Sequence, residues 1–227
     1  MALSTKATPG KSIQKVLQPG ARSFKINSVG LEKFPFKDNA YHILLNVEGP
    51  DLGSDFEGFF VEKNDPTKGK YKGQIGRIKA SEWAFADSVT KGGTEISRDI
   101  EIMNFLRNLC KQLGITSWIE AEDNKHETIE SLIAKFNTDA PFRDKWLRGC
   151  VGGKEYTNAG GYLNYDLYLP KFTMKSTPVE LETVPESESK LIQYDAATYI
   201  KKKKADTVES FGEKKAEDKA SSGEFDL

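Results

Sequence analysis

The chain has 227 residues, 37% hydrophobic and 30% charged, and its 33 basic and 34 acidic side chains leave a formal charge of −1. That is apolar material for one large domain or two small ones. The balance excludes a protein that attracts polyanions by net charge alone, but not one with a locally basic face.

The first residues, MALSTKATPGKSIQK, lack the apolar core of a signal peptide, and no apolar run is long enough to span a bilayer. No membrane partner is expected. Cys110 and Cys150 are too few for a disulfide scaffold, and they read as reduced thiols in a cytoplasmic compartment.

Residues 1–21, with Pro9-Gly10 and Pro19-Gly20, are expected to form a flexible N-terminal arm. From Arg22 the pattern turns β-like. ARSFKINSVGLEKFPF puts Phe24 and Ile26 at strand spacing, and KDN offers a turn. In YHILLNVEG, Tyr41, Ile43, Leu45 and Val47 fall on one face, with His42, Leu44 and Asn46 on the other. EGFFVEKN predicts a third strand, the Gly/Lys-rich DPTKGKYKG a loop, and QIGRIKASEWAFAD a short extended piece before an aromatic turn.

The period then changes. RDIEIMNFLRNLCKQLG sets Ile100, Met103, Leu106, Leu109, Cys110 and Leu113 at helical spacing, with Ser97 or Asp99 as cap and Gly114 as stop. HETIESLIAKFN predicts a second, shorter amphipathic helix. KWLRGCVGGKEYTNAGGYLNYDLYLPKF predicts two strands around a Gly/Asn-rich hairpin ended by Pro170. Beyond about Thr177 the composition is Pro/Glu/Ser-rich, with a short helix expected around Ser189–Ile200.

Three strands, a helical section and two strands give a mainly β (β+α) reading, a five-stranded OB-fold Greek-key barrel. The domain spans 22–176, with a helical insertion at about 97–140 between strands 3 and 4, and 177–227 form a flexible, disordered C-terminal tail. A β-sandwich or an α+β sheet gives similar local signals.

Catalytic patterns are sparse. His42 and His126 are the sole histidines, Cys110 lies on an apolar helix stripe, and Cys150 has no CxxC partner. There is no Walker lysine motif, GxSxG elbow or HExxH helix. No catalytic residue, metal or cofactor is expected, and the protein reads as a non-enzyme.

Aromatics interleaved with cations are abundant. Phe59, Phe60, Lys70, Tyr71, Lys72 and Arg77 fall in one strand-loop-strand stretch, and Trp146, Arg148, Lys154, Tyr156 and Tyr162 in the hairpin. Alternation sends Leu147, Val151, Leu163, Tyr165, Leu167 and Leu169 inward, and Trp146, Arg148, Tyr162 and Tyr168 outward as an exposed row. Such a row suits stacking on unpaired bases, each worth about 1–3 kcal/mol, with nearby cations on the phosphates. The competing expectation is a second hydrophobic layer beneath the helices, using Trp83, Phe85 and Trp146.

VEKNDPTKGKYKGQIGRIKASEWAF, the hairpin VGGKEYTNAGGYLNYDLYLPKF and the tail ending SSGEFDL together resemble a phage-type single-stranded DNA-binding protein. The resemblance implies an OB-fold core that coats single-stranded DNA during replication or recombination. Its groove would be carried by the eleven residues just named, from Phe59 to Tyr162. It also implies a tail, Glu224, Phe225, Asp226 and Leu227, that docks replication or recombination proteins or competes with DNA. The tail departs from the family pattern, because Lys214, Lys215 and Lys219 dilute its acids. A homo-oligomer is left open, with the helical section as dimer interface, second platform or lid. The alternatives are a protein-interaction or virion-assembly component, and a Mg²⁺-dependent nuclease.

Overall fold

The structure is a computed structural model that describes residues 16–52, 73–171 and 176–202. In chain order the elements are β1 (Gly20–Lys33), β2 (Tyr41–Asp51), β3 (Gly73–Lys79), a ribbon of β4 (Ser88–Val89) and β5 (Glu95–Ile96), α1 (Arg98–Gln112), α2 (Thr116–Ala121), α3 (Ile129–Asp139), β6 (Trp146–Thr157), β7 (Leu163–Tyr168), β8 (Val179–Leu181), α4 (Ala196–Tyr199) and β9 (Ile200–Lys201). The chain is mainly β. Strands β1, β2, β3, β7 and β6 pair in that order, and β6 returns to β1, closing a five-stranded barrel consistent with the OB-like expectation.

Strand alternation builds the interior. Phe24, Ile26, Ile43, Leu45, Val47, Ile78, Leu147 and Val151 are buried among one another, as period-two patterning requires. The ring has one weak seam. β3 meets β7 in parallel through Ile78↔Leu167 and Lys79↔Tyr168 alone. Further down β3, Val16 bridges Ile75, the Leu17 N–H donates to the Ile75 carbonyl at 2.8 Å, and the Leu17 side chain fills the space above Gly76.

Helix α1 starts where the Ser97 hydroxyl accepts from the Ile100 N–H at 3.2 Å, and it stops before Gly114, whose φ is +66°. Its buried stripe runs through Ile102, Leu106, Leu109 and Cys110, whereas Ile100 is exposed. α3 is clamped to the barrel by Asn137. That amide donates to the Val29 carbonyl at 2.7 Å and accepts from the Val29 N–H at 2.8 Å, occupying the backbone pair a neighbouring strand would use. The rings of Trp118, Phe136 and Phe142 pack in sequence behind it, tilted to one another with centroids 4.9 Å apart.

The third strand predicted at EGFFVEKN lies outside the described residues; among the described residues the strand that follows β2 in the ring is the GQIGRIK stretch. One sequence expectation changes. The flexible tail expected from 177 starts too early, because residues 176–202 lie on the barrel. β8 pairs with β6, β9 pairs with β6 in parallel, and Val179 and Ile192 are buried. Composition misleads here because this segment is anchored by a few well-placed groups. Glu180, buried on β8, accepts from Arg148 at 2.6 Å, from the Ser189 hydroxyl at 2.5 Å and from the Lys190 N–H at 3.1 Å. Among the described residues no helix is long and apolar enough to cross a membrane.

Candidate nucleic-acid interface

Of the expected groove residues, Phe59, Phe60, Lys70, Tyr71 and Lys72 lie outside the described residues, as do Glu224, Phe225, Asp226 and Leu227. The remaining six do not form one row. Arg77 and Tyr156 line one cleft, Lys154 lies two residues before Tyr156 on β6, Tyr162 sits at the hairpin tip, and Trp146 and Arg148 lie at the opposite end of β6.

The expected exposed row fails for a specific reason. Parity points Arg148 and Tyr168 outward, but the 176–202 segment covers them. Arg148 is spent on Glu180 and on the Val184 carbonyl at 3.0 Å. Tyr168 is buried against Gly152, where a Cβ would come within 2.5 Å of its ring, and its hydroxyl donates to the Tyr199 carbonyl at 2.9 Å. Burial pushes that phenol up to about 12. Trp146 is half-buried, with the Lys25 ammonium 5.9 Å from its ring centroid. Leu163, expected inward, is exposed at the hairpin end.

The open part of the face begins where the weak seam leaves β3 and β7 apart. A cleft of about 440 Å³ lies there, lined by Arg77 and Lys79 from β3, Tyr156 from β6, Tyr165 and Asp166 from β7, and Glu32 from β1. Lys154 shares the outward face of β6 with Tyr156, two residues on. Its ammonium sits 4.9 Å from the Trp83 ring centroid and donates to the Glu82 carbonyl at 3.3 Å. Trp83 is 72% exposed and Tyr162 73%, so both present ring surface to solvent.

Each cation has a carboxylate nearby: Arg77 with Glu32, Lys79 with Asp166, and Lys154 with Glu82, at 3.5–3.6 Å. These are long, partly solvated pairs, each worth about 0–1 kcal/mol. A phosphate can therefore recruit the cations without breaking the fold, although the carboxylates moderate the gain. His42 lies buried beneath, edge-on to Phe34 at 5.5 Å. Burial first and Lys79 second hold its pKa below the ordinary value, so it adds no charge at neutral pH.

Sequence reasoning missed Trp83 as an exposed ring, having expected it in a hydrophobic layer beneath the helices. The β2–β3 ladder runs to Ala80, whose N–H donates to the Ile43 carbonyl, and resumes at Tyr41↔Phe85. Residues 81–84 are therefore extruded, and Trp83 is carried outward while Phe85 turns in to Phe105 at 6.2 Å. The readable signal was the break in alternation across ASEWAF. Phe36, 87% exposed and edge-on to Phe34 at 5.6 Å in the β1–β2 turn, was also missed.

Among the described residues no group of three or more His, Cys, Asp or Glu is placed to hold a metal ion. Cys110 and Cys150 are buried and free. His126 is taken up by Glu122 at 2.8 Å and Ser131 at 3.3 Å. No protein family, curated protein or solved structure was found to match the chain.

Proposed function

We propose that the protein binds single-stranded DNA without strong sequence preference and without catalysing a reaction on it, in phage-type replication or recombination. The barrel is then an OB-fold with Greek-key connections and a helical insertion at about 97–140. Support for this comes from the ring order. Numbered along the chain, the ring strands run first, second, third, fifth, fourth, with helices α1–α3 falling between the third and fourth.

The observation that carries the functional reading is the exposed strip on β3, β7 and β6. Trp83 and Tyr156 offer ring faces for bases, and Arg77, Lys79 and Lys154 lie within the same strip for phosphates. The expected partner tail, Glu224–Leu227, extends this reading to recruitment of replication or recombination proteins.

The test is a titration of the full chain with oligo-dT and with duplex of equal length, across a salt series and with and without Mg²⁺. Oligo-dT affinity should greatly exceed duplex affinity and fall with salt. Equal affinities, or no salt slope, would refute the reading. Concentration-dependent self-assembly with no DNA affinity would favour an assembly component, and Mg²⁺-dependent cleavage a nuclease. Deleting Glu224–Leu227 should leave oligo-dT affinity unchanged or raised.

A further inference from the structure

Lys154 differs from the other two cations of the strip in where its contacts go. Arg77 and Lys79 each reach one carboxylate on another strand, Glu32 and Asp166, at 3.6 Å. All the polar contacts of Lys154 go to a single loop. Its ammonium donates to the Glu82 carbonyl at 3.3 Å, lies 3.5 Å from the Glu82 carboxylate, and sits 4.9 Å from the centroid of the Trp83 ring. An ammonium has three N–H groups, and these three neighbours account for them.

The loop depends on that ammonium. Residues 81–84 are extruded between the rung at Ala80 and the bridge at Tyr41↔Phe85. Inside the loop the Trp83 N–H donates to the Ser81 hydroxyl at 3.2 Å. Among the described residues, every hydrogen bond and ion pair that reaches 81–84 from elsewhere in the chain comes from Lys154. The anchor itself stands on firm ground, because Lys154 lies within β6, in register with Asp166 of β7. Trp83 nevertheless remains 72% exposed, so the ammonium steadies the ring without hiding it.

We infer that Lys154 is a positioning residue of the strip. It pins the 81–84 loop and holds the Trp83 ring with one side toward the ammonium and the other open to a base, while the phosphates fall to Arg77 and Lys79. This rests on the single-strand reading above and narrows it. A ring already held in place gives up less freedom when a base stacks on it. A phosphate that drew Lys154 away would release the ring, so charge capture at this residue would work against stacking.

The experiment measures oligo-dT affinity across a salt series, with thermal midpoints, for the full chain and four variants: Lys154→Met, Lys154→Arg, Trp83→Ala, and Lys154→Met with Trp83→Ala. Lys154→Met should weaken binding about 2- to 12-fold at fixed salt, the cost of ordering one side chain. Its slope of log K against log salt should match the parent's. Lys154→Arg, which keeps a cation over the ring, should restore the affinity. In the Trp83→Ala background Lys154→Met should cost nothing further. A slope shallower by about 0.7 marks the loss of one phosphate contact and overturns the inference. A Lys154→Met penalty that persists without Trp83, or no penalty at all, overturns it too, and each leaves the strip intact. If Lys154→Met lowers the thermal midpoint, the Lys154→Arg affinity and the salt slope still decide. If the parent itself shows no oligo-dT binding, both readings fall together.

Discussion

Trp83 is held from one side by the Lys154 ammonium and is open on the other, so its removal tests stacking with little structural penalty. Trp83→Ala should weaken oligo-dT binding about 5- to 150-fold, the equivalent of about 1–3 kcal/mol, with a nearly unchanged thermal midpoint by calorimetry. Arg148→Ala should behave in the opposite way. It leaves the buried Glu180 carboxylate without its cation, a loss of about 3–5 kcal/mol in stability, seen as a lowered denaturant midpoint. Oligo-dT affinity of the folded fraction should be unaltered. At this scale the sequence reads one property well and another poorly. Parity places Arg148 and Tyr168 outside the barrel, as found, but parity does not reveal what covers the outside. The cover comes from Glu180 and Tyr199, in a stretch whose Pro, Glu and Ser content reads as unfolded.

Strand β6 is the element on which the fold converges. It pairs with β1, β7, β8 and β9, and its glycines let it do so. Gly152 is bare because the Tyr168 ring occupies the space of its side chain. Gly152→Ala must push that ring off, and with it the hydroxyl that holds Tyr199. Overpacking of this kind costs about 1–3 kcal/mol. The expected outcome is a lower thermal midpoint, with faster amide exchange at β9 than at β2. The hairpin around residues 158–162 and helix α1 are legible because their signals are local: a Gly/Asn-rich turn, a serine cap and a glycine stop. Helix α2 was not legible. Its six residues, TSWIEA, are too few to show a period, and packing fixes it through buried Ile119 and the Trp118 ring against Phe136. The seam between β3 and β7 was equally invisible, since no local pattern reports a two-pair parallel contact between distant segments.

For the whole molecule, the two thiols give a global readout. Burial pushes Cys110 up to about 12 and Cys150 up to about 11, from an ordinary value of 9.0. The folded chain keeps both neutral, whereas the unfolded chain releases their protons once pH passes about 9. Their contribution is therefore fully present below about pH 9 and is lost as pH rises toward about 11 and 12. The thermal midpoint should fall on raising the pH above about 9, and less so in a Cys110→Ala, Cys150→Ala variant. An equal fall in both would show that other groups control alkaline unfolding.

The pairing pattern of β6 also has a consequence for the biosynthesis of the chain. Its partners come from Gly20 at one extreme and Lys201 at the other. β1 must wait for β6 to be translated before the ring can close, and the cover over Arg148 and Tyr168 is made later still. A chain emerging from the ribosome thus carries β1 and β2 as an unclosed meander with an unpaired edge until β6 appears. Such long-range closure is slow relative to local helix formation. During that interval the open edge is a target for chaperones and for neighbouring nascent chains of the same sequence.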